Sequence, residues 1–140
     1  MNNSYDIISF YGITKDSKTN DFMMVMFYAT GGSLRQSLNK NFNSLNWDNK
    51  LAILKFIAGG LNDIHKKGLT HRDFHSGNIL NATSTYSYIT DLGLSKPANE
   101  KSDEKVYGVL PYVAPEVLRG KNYTQESDIY SFGIIITSLS

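Results

Sequence analysis

The chain has 140 residues, of which 41% are hydrophobic, enough for one domain with an ordinary core. Lys and Arg number 14 and Asp and Glu 13, so a net charge of +1 gives no field that favours nucleic acid or an anionic membrane as a partner. Cysteine is absent, which excludes disulfides, thiol catalysis and cysteine-ligated zinc and is typical of an intracellular, cytoplasmic protein.

Two apolar stretches near the start, residues 6–14 and 21–29, predict strands, and the polar TKDSKTN between them suits a hairpin. The methionines of the second stretch, Met23, Met24 and Met26, are expected to face a core. The GGSL that follows predicts a short helix over about 33–40.

The clearest helix is predicted from about Asp48 to Lys67. Its apolar residues recur on one side of a helical wheel, at Leu51, Leu54, Ile57, Ala58, Leu61 and Ile64. Asn46 is expected to cap its start, Trp47 to enter the core, and Gly68 to end the helix.

The second half alternates short elements with loops. NILNA and YSYITDLGL predict strands around a turn, and KPANEKSDEK (96–105) predicts a mobile, charged loop. A proline-bounded loop, LPYVAPEVL, then leads to a last helix from about Gln125, too short to cross a bilayer. No repeat or linker is found, so we expect a single α+β unit.

Residues 68–82, GLTHRDFHSGNILNA, concentrate polar groups between two apolar stretches. A turn needs glycines, but it does not need Arg72, Asp73 and Asn78. A further acid, Asp91, ends the next predicted strand. Carboxylate and amide oxygens are the ligands that Mg²⁺ prefers, usually shared with phosphates, and a separate Asp can accept a hydroxyl proton.

The order HRDFHSGN, then DLG (91–93), then APE (114–116) resembles the catalytic signatures of protein kinases. HRDFHSGNIL, with GGSL and SDIYSFG, is similar to the tyrosine-kinase-like group. The resemblance runs from the first strand to the last residue. It implies a partial kinase-like α+β fold, with a remnant of the N-lobe sheet and the hinge in 1–29 and the first, mainly helical half of the C-lobe in 30–140.

The resemblance implies roles for the loop residues. Asp73 would accept the proton of the substrate hydroxyl, and Asn78 and Asp91 would hold Mg²⁺ on the nucleotide phosphates. Arg72 would bind a phosphate on the mobile segment. Asp128 would be a buried carboxylate that accepts bonds from the HRD backbone. Candidate phosphate acceptors on the mobile segment are Ser95, Ser102 and Tyr107.

The resemblance also implies an adenine slot. Met26 would be the gatekeeper at its back, Phe27, Tyr28 and Ala29 the hinge, and Leu80 the residue beneath the adenine ring. ATP and Mg²⁺ are the implied cofactors, and an unknown protein is the implied substrate.

Several features depart from the kinase pattern. No G-x-G-x-x-G occurs, and the lysines before the hinge, Lys15 and Lys18, lie in the predicted hairpin turn. We therefore expect an incomplete kinase domain or gene fragment that is inactive alone. His75 replaces a common Lys and Val109 a common Thr, which leaves Ser/Thr or Tyr as the acceptor open.

Three interpretations remain: an active kinase, a pseudokinase-like interaction module, and a fragment that does not stay folded. A zinc site at His71 and His75 is disfavoured, because the H-E-x-x-H motif needs a helix and a Glu where this chain has glycine-flanked loop and Arg72.

Overall fold

The computed structural model describes residues 6–41, 45–98, 100 and 106–140. Its architecture is α+β, as predicted. The strands are β1 (Phe10–Lys15), β2 (Phe22–Met26), β3 (Leu69–Thr70), β4 (Ile79–Asn81), β5 (Ser87–Ile89) and β6 (Lys96–Pro97). The helices are α1 (Leu34–Asn41), α2 (Trp47–Lys66), α3 (Pro115–Leu118) and α4 (Gln125–Leu139).

The predicted hairpin is present, since β1 and β2 pair antiparallel with Lys15 opposite Phe22. The expectation that its methionines face a core is wrong: the exposed fractions of Met23, Met24 and Met26 are 44%, 69% and 40%. A two-stranded ribbon needs a second layer to cover an apolar face, so alternating hydrophobic residues alone do not bury it.

The main core lies where α2 packs against the β4–β5 pair and the end of α4. Its buried members are aliphatic except for one phenylalanine: Leu34, Ile53, Ile57, Leu61, Ile64, Phe74, Ile79, Ile89, Ile135 and Leu139. These side chains include residues of α2, of α4 and of the loop after α2, so the core holds that loop between two helices.

The ends of α2 follow the prediction, because the Asn46 side chain accepts from the Asn49 N–H at 2.9 Å and Gly68 follows with φ +71°. Its buried face differs at two predicted positions. Leu51 and Ala58 are exposed, whereas Ile53 and Gly60 are buried. Leu51 is two residues from Ile53, about 200° around the helix, so both cannot face the core.

Trp47 is also outside the core, contrary to the prediction. It is 64% exposed, and the Lys50 ammonium lies 5.1 Å from its ring centroid. At the first turn of α2, a cation over the indole face takes the place of apolar packing.

The β4–β5 pair is extended by the N-terminal segment. Ile89 donates its N–H to the Asp6 carbonyl and accepts from the Ile8 N–H, both at 2.9 Å. On the β4 edge, the Gly31 N–H donates to the Asn81 carbonyl, and the Asn81 N–H donates to the Gly32 carbonyl. The segment after β2 is therefore tied to the strand that follows the polar loop.

The predicted mobile loop at 96–105 begins with a short strand. Lys96 and Pro97 form β6, which pairs antiparallel with β3. Residues 99 and 101–105, including Ser102, lie outside the described residues. The last helix begins at Gln125 as predicted, with a capping box between Thr124 and Ser127.

Candidate active site

The polar loop leaves α2 through a left-handed turn and adopts a strained backbone. After Gly68 and β3, Arg72 has φ +70°, a region that residues with a side chain seldom occupy. Such strain persists only where surrounding contacts enforce it.

Asp128, near the start of α4, supplies those contacts. Its side chain is 2% exposed. Its Oδ2 accepts from the His71 N–H at 2.8 Å, and its Oδ1 accepts from the Arg72 N–H at 3.1 Å. The predicted buried carboxylate behind the loop is therefore present, and it fixes the two residues before Asp73.

Asp73 and Asn78 are brought into direct contact. The Asn78 amide donates to the Asp73 carbonyl at 2.9 Å and to Asp73 Oδ2 at 3.2 Å. Asp73 Oδ1 is buried and has no hydrogen-bond partner in the described part of the chain. An unsatisfied buried carboxylate oxygen is costly, so this atom is a ready acceptor for an incoming hydroxyl.

His75 lies beside the same carboxylate. Its Nδ1 accepts from the Gly77 N–H at 2.9 Å, which leaves the proton on Nε2, and Nε2 is 3.4 Å from Asp73 Oδ1. Burial lowers the pKa of His75, an effect that Asp73 opposes and the nearby Arg35 reinforces. The ring is therefore a neutral neighbour of Asp73.

His71 supports the loop from its buried side. Its Nδ1 accepts from the Asp73 N–H at 3.3 Å, and its Nε2 faces the Thr90 carbonyl at 3.0 Å. Burial lowers the pKa of His71, while the Thr90 bond and three carboxylates oppose that shift. A neutral ring satisfies both partners, because its Nε2–H donates to the Thr90 carbonyl while its Nδ1 accepts from the Asp73 N–H.

Asp91 is adjacent to this pair but separate from it. The Thr90 N–H donates to the Asn78 carbonyl at 3.0 Å, which places Asp91 one residue from a bond to Asn78. Asp91 itself is exposed and has φ +58°. In the described residues no hydrogen bond joins its carboxylate to Asp73 or Asn78, so two of the three predicted oxygen-bearing groups touch and the third flanks them.

Arg72 is buried with unused donor capacity. Its Nε donates to Thr70 Oγ1 at 3.3 Å and its guanidinium carbon lies 5.6 Å from the Tyr123 ring centroid. Its second terminal nitrogen is buried and has no partner among the described residues. Tyr123, in turn, exchanges two 2.6 Å hydrogen bonds with the Tyr107 backbone. Arg72 thus faces the segment that carries a predicted phosphate acceptor.

Comparison with known proteins identifies the family. The family model for the protein kinase domain matches residues 1–140. The chain belongs to the protein kinase domain family. It therefore shares its descent with the enzymes whose signatures its loop resembles.

Three relatives illustrate the match. A probable serine/threonine-protein kinase of Dictyostelium discoideum is 31% identical over 96% of this kinase domain chain, and the ankyrin repeat-containing protein kinase A of the same organism is 32% identical over 95%. An inactive leucine-rich repeat receptor-like serine/threonine-protein kinase of Arabidopsis thaliana is 36% identical over 90%. The chain spans only 14%, 9% and 21% of these relatives' own lengths.

The predicted adenine-slot residues of this kinase domain lie on two strand pairs, β1–β2 and β4–β5, and on the segment that follows β2. Met26 ends β2, and the Phe27 N–H donates to the Ser9 carbonyl at 2.9 Å. Leu80 pairs across a bridge with Ser33, just after the predicted hinge. The segment after β2 is open to solvent at Tyr28, which is 82% exposed.

The donor set fits Mg²⁺ only as an ion shared with phosphates. Asn78 uses its amide nitrogen on Asp73, which leaves its Oδ1 without a hydrogen-bond partner among the described residues, and the exposed Asp91 carboxylate follows directly after Thr90. Within the described ranges no group of three or more His, Cys, Asp or Glu could hold a metal alone. Mg²⁺ commonly takes one or two protein oxygens and completes its shell with phosphate and water.

Two contacts of the site were not predicted. His65 Nε2 lies 2.9 Å from Asp128 Oδ2, and Arg35 Nη2 lies 3.4 Å from His75 Nδ1. Both pairs are far apart in sequence, and spacing along one element cannot reveal them.

Among the described residues, no helix is long and apolar enough to span a membrane.

Proposed function

We propose that the chain is the part of an ATP-dependent protein kinase of the tyrosine-kinase-like group that carries the catalytic loop. The acceptor would be a protein Ser or Thr hydroxyl, in line with the names of the relatives. The observation that carries the proposal is the Asp73 carboxylate. One of its oxygens is held by Asn78, and the other is buried with no hydrogen bond among the described residues and only the His75 ring nitrogen 3.4 Å away.

In this proposal Asp73 Oδ1 accepts the proton of the substrate hydroxyl. The hydroxyl oxygen forms its bond to the γ-phosphorus as the bond from that phosphorus to the β,γ-bridging oxygen breaks, and ADP leaves. Because this chemistry depends on positioning and charge stabilisation, the fixed Asp73–Asn78 pair matters more than the basicity of Asp73.

The remaining site residues would hold the nucleotide. Met26, Phe27, Tyr28 and Ala29 would border the adenine, with Leu80 beneath it. Asn78 Oδ1 and Asp91 would hold Mg²⁺, which when bound would neutralise phosphate charge.

Arg72 would pair with a phosphate on the segment that contains Tyr107, because a guanidinium binds phosphate oxygens as a fork.

The 140 residues contain no glycine-rich phosphate loop and no V-A-I-K motif. Lys15, which was predicted in the hairpin turn, instead ends β1, in the sequence FYGITK. We therefore expect no measurable transfer from this chain alone. The test is a chimera in which a glycine-rich loop and a V-A-I-K strand precede this chain, assayed for transfer from radiolabelled ATP to peptides.

The chimera should transfer phosphate, and Asp73→Asn should reduce the rate by at least about 10²-fold, the usual contribution of a positioned base. Equal rates for the chimera and its Asp73→Asn variant would remove Asp73 from the mechanism. A folded chimera that binds Mg-ATP yet never transfers would overturn the proposed activity.

A non-catalytic interaction module is the second candidate, favoured by the inactive relative and the absent phosphate loop. In that case Mg-ATP at millimolar concentration should leave the melting temperature of the chain unchanged. Clear stabilisation by the nucleotide would contradict it, because only a ligand that binds the folded state raises the melting temperature.

A further inference from the structure

A groove of about 490 Å³ opens beside the catalytic loop. Leu38 of α1 and Pro111 form apolar parts of its lining, and Ser138 near the end of α4 also borders it. Ser76, three residues after Asp73, lines it as well. The groove therefore adjoins the proposed base without including it.

The lining is held in place by partly buried hydrogen bonds. Ser76 Oγ and Tyr112 Oη lie 3.0 Å apart, and Ser131 Oγ donates to the Tyr112 carbonyl at 2.6 Å. These bonds connect the catalytic loop, the loop before α3 and α4. A preformed groove binds a partner without the cost of ordering its own side chains.

Arg35 sets the charge of the groove. It is the one lining side chain, among the described residues, that is ionised at neutral pH. No salt bridge joins it to a carboxylate in the described part of the chain, and its contact with His75 Nδ1 is long, at 3.4 Å. A guanidinium has five N–H donors, so most of this capacity remains available to a ligand.

We propose that Arg35 makes this groove select protein substrates that carry an Asp or Glu close to the acceptor hydroxyl. The inference rests on the proposed kinase function and names its substrate class. A carboxylate would bind the guanidinium as a fork while neighbouring side chains pack on Leu38 and Pro111, and a basic peptide would be repelled.

The spacing follows from the His75 ring, which contacts both Arg35 and Asp73. Arg35 Nη2 lies 3.4 Å from His75 Nδ1, and His75 Nε2 lies 3.4 Å from Asp73 Oδ1, so one imidazole ring links the guanidinium to the carboxylate. An extended peptide advances about 3.3 Å per residue, so the acidic residue is expected about two or three positions from the acceptor.

The test measures peptide binding to the full 140-residue chain by fluorescence anisotropy. Labelled peptides share one Ser and an apolar frame and carry Glu, Gln, Lys or phosphoserine at each position within three residues of the Ser. The peptide with Glu two or three positions from the Ser should bind about three- to tenfold more tightly than the peptide with Gln at the same position. An effect of this size is what one partly exposed charge pair permits.

Arg35→Glu should make the Lys peptide bind more tightly than the Glu peptide. Arg35→Lys should retain part of the preference for the Glu peptide. Arg119→Glu is the matched control, since Arg119 is exposed, lies after α3 and does not line the groove. The control variant should retain the preference for Glu. A circular dichroism spectrum and a melting curve of each variant exclude loss of fold as the cause.

Equal affinity for the Glu and Gln peptides, no binding of any peptide, or a preference that Arg35→Glu leaves intact would overturn the inference. Tight binding of phosphoserine alone would replace the carboxylate with a prior phosphate as the recognised group and would also overturn it. Because the assay needs no transfer, an acidic preference with an inactive chimera would count against the proposed function only. Asp73-dependent transfer without that preference would count against this inference only.

Discussion

The polar loop of residues 68–82, which carries the proposed base, and the β1–β2 hairpin are built in opposite ways. Around the loop, Asp128 is 2% exposed and Ile57 1%, and strained backbone is held by buried hydrogen bonds. In the hairpin, Ile13 is 67% and Phe22 77% exposed. One region derives its order from packing across the chain and the other from a single strand pairing.

The difference bears on function, because the proposed base lies in the first region and the proposed gatekeeper, Met26, at the end of the second. A buried site keeps a carboxylate within tenths of an ångström of its partners, whereas an exposed ribbon has few contacts that resist movement. We therefore expect substitutions near the loop to cost far more stability than matched substitutions in the hairpin.

The largest expected effect is that of Asp128→Ala. It removes the acceptor of the His71 and Arg72 N–H groups and the partner of His65, so buried donors lose their bonds. We expect a loss of about 3–5 kcal/mol in the free energy of unfolding, measured by urea denaturation.

Asp21→Ala is the matched control in the hairpin, where the residue is exposed. It should change the unfolding free energy by no more than about 0.5 kcal/mol, as is usual for surface positions. Similar losses in the two variants would show that the loop is not anchored through Asp128.

The next effect compares two isoleucines. Ile57→Ala removes a buried side chain from the main core and should cost about 2–5 kcal/mol. Ile13→Ala, on the exposed face of β1, should cost at most about 1 kcal/mol, the span of strand propensities. A loss of several kcal/mol from Ile13→Ala in the same urea assay would mean that the hairpin is covered by other residues in solution.

The same contrast explains what the sequence could predict. The ends of α2 and the start of α4 were predicted correctly because local chemistry determines them: the Asn46 cap, the left-handed Gly68 and the Thr124 capping box. The role of Asp128 behind the loop came from the family resemblance, and the hydrogen bonds confirm it.

The errors arose where burial depends on distant elements. Trp47, Leu51 and the hairpin methionines are apolar at suitable spacings, yet no rule of spacing says which face another element covers. The links from His65 to Asp128 and from Arg35 to His75 join residues 63 and 40 positions apart. Such contacts follow from tertiary packing, so periodicity in the sequence could not predict them.

A smaller effect is expected from two glycines inside helices. A Cβ at Gly60 of α2 would lie 2.8 Å from the Asp6 carbonyl oxygen and 2.9 Å from Ile89 Cδ1. Gly60→Ala should therefore cost about 1–3 kcal/mol through overpacking, despite the better helix propensity of alanine.

Gly133 of α4 is the matched position, since an added Cβ would meet no described atom within 4 Å beyond its chain neighbours and its own helix backbone. Gly133→Ala should stabilise the chain by about 0.5–1 kcal/mol through helix propensity alone. Thermal melting of both variants gives the comparison, and equal changes of the same sign would mean that the N-terminal segment does not pack on α2.

The smallest effect concerns pH. Burial lowers the pKa of His71 from its ordinary 6.5, although the Thr90 carbonyl and the carboxylates of Asp128, Asp73 and Asp91 oppose the shift. Below pH 6.5 the unfolded chain therefore binds a proton that the folded chain resists. Stability should be complete above that pH and fall as the pH drops toward the folded pKa, with a slope of at most about 1.4 kcal/mol per pH unit for this one group.

His71→Gln separates this contribution from those of other groups. The variant loses stability at every pH, because glutamine cannot keep both the Asp73 and Thr90 contacts of the ring. Its urea-derived unfolding free energy should nevertheless fall less steeply than that of the wild type between about pH 7.5 and pH 5.5, the range that brackets an ordinary histidine pKa. Tyr123→Phe, which also removes buried hydrogen bonds but no group that titrates in this range, should retain the wild-type slope. A His71→Gln slope as steep as the wild type would show that His71 is already accessible to protons in the folded chain, and the buried, neutral support assigned to the loop would then be wrong.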